Sequence, residues 1–181
     1  KEEKMTYQYF TAFDIEYAWW GIHLARSVYK NSPGVSFNIF LLLNKSQDNA
    51  AEVENIIALI GEANPNTKLT TINLEMELNS EEMARFSAGF RTSVFGPNRD
   101  SYFKTEDTVV WIDADSIVRS SLNALEEFCE ENDFDMAARA KNQMFKFASG
   151  LVIQKGTSSA RAFGDKWYSK WLDRFEKREW T

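Results

Sequence analysis

The chain has 181 residues and a formal net charge of −6, and 44% of its residues are hydrophobic and 14% aromatic. This length and apolar content are enough to bury one sizeable core, which argues against a disordered chain. The negative charge, with Lys and Arg scattered along the sequence, argues against a general nucleic-acid binder, because neutralising a phosphate backbone requires clustered basic residues.

Strand and helix patterns alternate along the chain. Aromatic and β-branched runs bounded by turn residues predict strands, and apolar residues three or four apart predict helices. In chain order, the predicted elements are a strand at 7–13, a helix at 17–29, a strand at 35–43, a helix at 50–60, a strand at 69–74, a helix at 80–94, a loop at 96–100, a strand at 108–112, a helix at 121–131, strands at 134–138 and 145–154, and a helix at 158–180. Such alternation favours right-handed βαβ crossovers, so we predict one α/β domain over residues 1–181 with a largely parallel sheet.

The last predicted helix has an aromatic stripe. Phe163, Trp167, Trp171 and Phe175 follow one another at four-residue steps. This spacing places them on one helix face, which we predict to belong to the core.

Two aspartates directly follow an apolar strand. The run Val109 to Ile112 is followed directly by Asp113, Ala114 and Asp115. Side chains alternate along a strand, so the two carboxylates should share one side and Ala114 should point to the other. Carboxylates this close repel each other unless they share a proton or a hard cation, and their oxygens suit Mg²⁺ or Mn²⁺ with a bound phosphate.

A simpler alternative is that these acids only cap a following helix. The position of the pair favours a ligand site, since ligands of open α/β sheets collect at the carboxyl ends of strands. We therefore predict a metal site at Asp113 and Asp115.

Three blocks of sequence, in this order, resemble the GT-A-fold glycosyltransferases, most nearly the family of glycogenin and the bacterial lipopolysaccharide galactosyltransferases (glycosyltransferase family 8). They are Ala-Phe-Asp-Ile-Glu-Tyr-Ala at 12–18, Val-Trp-Ile-Asp-Ala-Asp-Ser-Ile-Val at 110–118 and Phe-Ala-Ser-Gly-Leu-Val-Ile at 147–153. The resemblance implies a Rossmann-like GT-A αβα sandwich. It also implies a metal-dependent, retaining hexosyltransferase that moves a sugar from a nucleotide-sugar, preferably a UDP-sugar, to an acceptor hydroxyl.

The resemblance also implies roles for single residues of the first and second blocks. Asp113 and Asp115 would hold Mn²⁺ or Mg²⁺, and Ala114 between them would contact the nucleotide-sugar together with Ala12. Asp14 could accept a hydrogen bond from a uracil N–H, and the ring of Tyr17 could stack on that base. The alternatives are a turn-forming Asp14 and a half-buried Tyr17.

A basic residue is expected on the helix before the metal-binding strand. Arg91 lies at that position, and its guanidinium could bridge the diphosphate and the donor sugar. A surface ion pair with Glu81 or Glu82 is the alternative role for Arg91, and Arg85 is a competing assignment.

The third block would form the donor and acceptor sugar pocket through Ser149 and Gly150. It departs from the family at Ala148, where an Asn is usual. The family also supplies a C-terminal His as a third metal ligand, but the only histidine here, His23, lies within the first predicted helix. The third ligand is therefore absent, replaced, or part of a C-terminal extension that this chain lacks, and no catalytic residue is identified.

These departures keep a non-catalytic nucleotide-sugar-binding module open as an alternative function. A second alternative is a haloacid-dehalogenase-like phosphatase with Asp113 as nucleophile and Asp115 as acid/base. Little chain follows Asp115, however, to supply the lysine and second acid pair that such enzymes need.

The expected partners are a nucleotide-sugar donor and an unknown sugar, lipid or protein acceptor, with no nucleic acid. The longest apolar runs are too short to span a bilayer, so we expect no transmembrane segment. The single cysteine, Cys129, excludes an intramolecular disulfide and a cysteine-based zinc site, and a cytoplasmic location is expected. The first residue is Lys1, which is compatible with a chain cut from a longer protein.

Overall fold

A six-stranded sheet forms the centre of the chain in a computed structural model that describes residues 6–45, 50–140 and 147–178. The strands are β1 (Tyr7–Asp14), β2 (Phe37–Leu43), β3 (Thr67–Asn73), β4 (Thr108–Ile112), β5 (Met136–Ala140) and β6 (Phe147–Gln154). The helices are α1 (Ala18–Asn31), α2 (Ala50–Ala63), α3 (Ser80–Phe95), α4 (Arg99–Tyr102), α5 (Asn123–Glu131) and α6 (Ser158–Lys177), and a short 3₁₀ helix (Ile15–Tyr17) joins β1 to α1.

The strand order is β3-β2-β1-β4-β6-β5. The pairs β1–β2, β2–β3 and β1–β4 are parallel, whereas β6 runs antiparallel to both of its neighbours, β4 and β5. The predicted, largely parallel sheet is therefore confirmed. The order along the sheet reverses at β1, because β2 and β3 extend to one side and β4 to the other, and such a switch point opens a crevice at the carboxyl ends of the strands.

The two faces of the sheet bury separate cores, as alternation along the strands requires. One core packs under α1, α2 and α5 and includes Phe13 and Leu24. The other packs under α3 and α6 and includes Phe10, Phe90 and Trp111. The resulting αβα sandwich confirms the predicted fold class. Every residue of β4 is buried, so the strand that leads to the acid pair is held from both sides.

Several predicted boundaries differ from the structure. β2 begins at residue 37, β3 spans 67–73, α5 begins at 123 and β5 begins at 136. The predicted loop at 96–100 contains the start of α4, because the buried Arg99 guanidinium ties this segment to the Gln154 side chain at 2.5 Å and to the Asp107 carbonyl. Residues 145–146 of the predicted β6 and 179–180 of the predicted α6 lie outside the described ranges.

The aromatic stripe of α6 belongs to the core over most of its length. Trp167 and Phe175 pack on the core beneath α3, and the Trp171 ring lies 5.7 Å from the Phe86 ring. Phe163 is the exception, with 55% of its surface exposed in the first turns of the helix. In the described part of the chain, no helix is both long and apolar enough to cross a membrane.

Candidate functional site

A cleft of about 210 Å³ opens at the carboxyl ends of β1 and β4, at the switch point of the sheet. Its walls come from the end of β1, the 3₁₀ helix, one face of α3 and the turn after β4. The lining residues are Ala12, Phe13, Tyr17, Ala84, Ser87, Ala88, Arg91, Trp111, Asp113, Ala114 and Asp115. The fold thus brings together Ala12, Tyr17, Arg91 and the Asp113–Asp115 turn, which are predicted site residues from distant parts of the sequence.

The acid pair lies in a turn rather than in the strand itself. β4 ends at Ile112, and the Ser116 N–H donates to the Asp113 carbonyl at 3.0 Å. The predicted strict alternation therefore stops at Asp113, and the buried Ala114 lines the same cleft as both acids. The helix-capping alternative is wrong, since residues 116–122 are not helical and α5 begins only at Asn123.

Asp113 is held by two side-chain donors on one of its oxygens. The indole Nε1 of Trp111 donates to Oδ1 at 2.7 Å, and Arg91 Nη1 lies 3.4 Å from the same oxygen. The backbone N–H of Asp113 donates to the Gly150 carbonyl at 2.9 Å. Burial raises the pKa of Asp113 above its ordinary value, and the neighbouring Asp115 raises it further, while Arg91 and Trp111 act in the opposite direction.

Arg91 projects from α3 into the cleft between two indole rings. Its guanidinium carbon lies 5.4 Å from the Trp111 ring centre and 5.8 Å from that of Trp167. Only 13% of the side chain is exposed, and the buried Nε has no hydrogen-bond partner among the described residues. Desolvation lowers the pKa of Arg91, and the Asp113 carboxylate opposes this shift. The cation is therefore fixed beside the acid pair by stacking and charge.

The competing assignment and the surface ion pair for Arg91 are both wrong. Arg85 is paired with Glu81 at 2.7 Å on the exposed side of α3, as expected for residues one turn apart. Glu82 is paired with Arg178 at 2.9 Å. Arg91 is thus the basic residue of α3 that faces the acid pair.

Asp14 does not line the cleft, contrary to the expected contact with a base. Its side chain is 1% exposed, Oδ1 accepts the Tyr17 N–H at 3.1 Å, and Oδ2 accepts the Ser87 hydroxyl at 3.4 Å. Asp14 therefore has the turn-forming role that was the alternative to base binding, because it caps the 3₁₀ helix. Burial raises the pKa of this carboxyl group. The cap presents Tyr17, which is 43% exposed, at the edge of the cleft.

Gly150 lies directly behind Asp113. A methyl group added at Gly150 would stand 3.3 Å from Asp113 Oδ2. The β5–β6 register shifts here, since Ala138 pairs with Val152 but Arg139 pairs with Ala148, which leaves 149–151 without partners on β5. Such irregularities commonly re-aim residues beside a site. The side chains of Ala148 and Ser149 lie outside the described part, so their expected roles stay predictions.

Five residues that line the cleft were not predicted from the sequence, although three of them follow a recognisable helical spacing. Ala84, Ser87 and Ala88 precede Arg91 at helical spacings of three, four and seven residues, so a face of small side chains leads to the arginine. Phe13 and Trp111 are apolar strand residues that belong to the two cores and also line the cleft.

The acid pair suits a hard divalent cation that is shared with a substrate. Asp113 Oδ2 and the exposed Asp115 carboxylate accept no hydrogen bond from the described residues, so both remain available. Within the described ranges, no third His, Cys, Asp or Glu joins them. Mg²⁺ is bound by one or two carboxylates with waters and phosphate oxygens, so two acids are a sufficient protein contribution.

The only histidine, His23, lies on α1. Its ring centre is 4.5 Å from that of Trp19 in an edge-on arrangement.

No protein-family model matches the sequence, and no curated protein matches it. Among solved structures, the chain is similar to galactosyltransferase LgtC in complex with donor and acceptor sugar analogues, with a TM-score of 0.62 and 18% identity over 96% of this chain and 66% of that one. It is similar to the apo glycosyltransferase GlyE of Streptococcus pneumoniae TIGR4, with a TM-score of 0.57 and 21% identity over 96% of this chain and 39% of that one. It also matches mouse xyloside xylosyltransferase 1, with a TM-score of 0.56 and 10% identity over 95% and 76% of the two chains.

This chain spans less than two thirds of both the LgtC and GlyE chains. At these identities, the comparisons establish the fold. The phosphatase alternative stays an untested prediction. The chain has the GT-A fold of glycosyltransferases and resembles glycosyltransferase family 8.

Proposed function

We propose that the chain binds a nucleotide-sugar, preferably a UDP-sugar, in the cleft and transfers its sugar to an acceptor hydroxyl with the help of Mn²⁺ or Mg²⁺. The observation that carries this proposal is the convergence of Arg91 with Asp113 and Asp115 at the switch point of the sheet. A buried cation beside two carboxylates can hold a diphosphate and the divalent ion that accompanies it.

The wall formed by the 3₁₀ helix and α3 suits the nucleoside. The small side chains of Ala84 and Ala88 leave space along this wall, and the exposed Tyr17 ring lies at its edge. An aromatic ring in this position can stack on a base, and the Ser87 hydroxyl is a nearby polar group. Asp14 contributes indirectly, because its cap on the 3₁₀ helix sets the position of Tyr17.

Arg91 would bind the diphosphate. Its 3.4 Å distance to Asp113 is longer than a strong charge-assisted hydrogen bond, so this contact can be exchanged at little cost for phosphate oxygens. Asp113 and Asp115 would hold the divalent ion, which would supply Lewis-acid stabilisation of the leaving diphosphate. Arg91 would add planar N–H donors to the same diphosphate. The Trp111 and Trp167 rings on which its guanidinium stacks fix the direction of these donors.

The sugar would extend from the acid pair toward Ser149 and Gly150. Gly150 leaves space beside Asp113 Oδ2 that a side chain would fill, which supports an approach of the donor sugar on this side. Retention at the anomeric centre is part of the proposal by resemblance alone, since no described residue of the cleft stands out as a nucleophile.

Turnover of nucleotide-sugars tests the proposal. The full chain is incubated with UDP-glucose, UDP-galactose or UDP-N-acetylglucosamine with and without Mn²⁺, and released UDP is measured. Slow, metal-dependent release that is lost in Asp115→Asn supports the proposal. Because the Asp115 side chain is exposed, this variant should fold normally. Binding without any release would instead favour the non-catalytic module.

A further inference from the structure

A second groove of about 480 Å³ is lined by the two residues that flank the acid pair in sequence, Ile112 and Ser116. Its walls are the segment 116–122, the start of α5, the ends of β4 and β5, and the middle of β6. Gly150 lines this groove and also stands behind Asp113, so the groove adjoins the point where the donor sugar is proposed to lie. Ser116, which directly follows Asp115, also lines it.

Two arginines give the groove a positive charge. Arg119 and Arg139 line it from different elements, both are exposed, and neither forms a hydrogen bond or ion pair with the described residues. Among the described residues, the groove lining contains no Asp or Glu, although the whole chain carries a net charge of −6. A local positive site in an acidic protein attracts an anionic ligand, and two planar guanidinium groups match phosphate oxygens in particular.

The rest of the groove is apolar or carries hydroxyl groups. Ile112, Leu122, Leu125 and Leu151 supply apolar surface, and Ser120 and Ser121 supply hydroxyls. A ligand that fits this lining has an anionic group joined to an apolar or carbohydrate body.

We propose that this groove binds the acceptor and that the acceptor carries a phosphate group, which Arg119 and Arg139 contact. The transfer part of this inference rests on the proposed function, whereas phosphate binding in the groove does not. In the transfer, the acceptor hydroxyl oxygen bonds to the anomeric carbon of the donor. The bond from that carbon to the diphosphate breaks with its electron pair on the diphosphate, and the hydroxyl proton passes to the released diphosphate or to water.

Calorimetry on the full chain tests the inference with two phosphorylated probes and their neutral counterparts. Glucose 6-phosphate is compared with glucose, and decyl phosphate with decanol, so that a sugar phosphate is distinguished from a lipid phosphate. We expect one phosphorylated probe to bind, and its neutral counterpart to bind at least about tenfold more weakly, as loss of a charge-assisted contact implies. Binding of neither phosphorylated probe, or equal binding of the neutral form, overturns the inference.

Variants then locate the phosphate contact. The double change Arg119→Ala with Arg139→Ala should weaken the phosphorylated probe about tenfold or more, and Arg119→Lys with Arg139→Lys should restore part of the affinity. Arg26→Ala, which removes an exposed arginine of α1, is the matched control and should change nothing. UDP titrated with Mn²⁺ should bind all variants equally. Unchanged probe affinity in the double alanine variant overturns the inference, whereas failure of UDP to bind the wild type would contradict the proposed function alone.

Discussion

The indole Nε1 of Trp111 donates a 2.7 Å hydrogen bond to Oδ1 of Asp113, from a position two residues earlier on the same face of the chain. Trp111 is 1% exposed and fixed in the core beneath α3, so this bond transfers the rigidity of the core to the carboxylate. With Oδ1 occupied in this way, Oδ2 is left to face a ligand. Such supporting contacts commonly decide how well a carboxylate binds a metal.

Trp111→Phe should therefore weaken Mn²⁺-dependent UDP binding by about tenfold or more, because it removes the donor and keeps an aromatic ring. Calorimetric titration of UDP in the presence of Mn²⁺ measures this effect. The control is Trp20→Phe on α1, where the side chain is 50% exposed. Equal affinity in both variants would show that the Trp111 hydrogen bond does not position Asp113.

Arg91 should contribute to diphosphate affinity through its planar donors. Arg91→Lys keeps a charge but loses the fork geometry, and Arg91→Ala loses both, so UDP affinity should fall in the order wild type, lysine, alanine. A charge-assisted hydrogen bond contributes about 1.5–3 kcal/mol, which corresponds to roughly a 10- to 150-fold loss for alanine. Arg85→Ala, on the outer side of the same helix, should bind UDP normally. A loss of similar size in Arg85→Ala would contradict this assignment.

Asp14 should make stability depend on pH in a specific direction. Burial raises its pKa in the folded state, so the folded protein favours the protonated carboxyl group more than the unfolded chain does. The protonated Asp14 carboxyl group stabilises the fold fully at a pH below its pKa in the unfolded chain. This stabilisation is lost as the pH rises through its pKa in the folded protein. Asp14→Asn has no such ionisation and retains an oxygen that can accept the Tyr17 N–H. Wild type should therefore gain stability relative to Asp14→Asn when the pH falls from 7 to 4, as measured by urea unfolding.

Asp14→Ala tests the capping hydrogen bond separately from the ionisation of the carboxyl group. It removes the acceptor of the Tyr17 N–H, and loss of such a cap costs about 1 kcal/mol. At pH 7 this variant should be less stable than Asp14→Asn. The opposite order, or a stability difference between wild type and Asp14→Asn that does not change with pH, would exclude the buried, capping role.

Gly150→Ala should reduce metal affinity with little loss of stability. The new methyl group would lie 3.3 Å from Asp113 Oδ2, which is close enough to displace the carboxylate by a few tenths of an ångström. We expect Mn²⁺-dependent UDP binding to weaken severalfold in a calorimetric titration. Gly34→Ala is the control, because an added methyl group there meets no atom within 4 Å. If both variants bind UDP equally well, the Asp113 oxygen that faces Gly150 does not serve the metal.

The fold was predictable because its strongest patterns are local. The continuous apolar run of β4 is buried on both faces, and its abrupt end in Asp113 marks the carboxyl edge of the sheet. The alternation of strand and helix patterns also predicted the αβα sandwich. The helix limits were less predictable: α5 begins late because Ser27 and Asn31 of α1 hold the backbone of Val118 in an irregular segment. Such long-range contacts leave no local signal.

The placement of candidate residues at the cleft was predictable from the elements that carry them, whereas the direction of their side chains was not. Arg91 and Arg85 lie on the same helix, and only the packing against Trp111 and Trp167 decides which one enters the cleft. Asp14 was expected to face the base, but its carboxylate accepts hydrogen bonds from the Tyr17 backbone N–H and the Ser87 hydroxyl and is buried. A short polar side chain at a strand end can bind either a ligand or a neighbouring backbone N–H, and the sequence alone does not determine which of the two it binds.

The most direct test of the central claim is a calorimetric titration of UDP, with and without Mn²⁺, into wild type and Asp115→Asn. If Asp113 and Asp115 hold an ion that in turn binds the diphosphate, wild type will bind UDP much more tightly with Mn²⁺, and Asp115→Asn will lose at least about tenfold of that gain while unfolding at the same urea concentration. UDP affinity that is independent of Mn²⁺, or a metal-dependent gain that persists in Asp115→Asn, would contradict the claim.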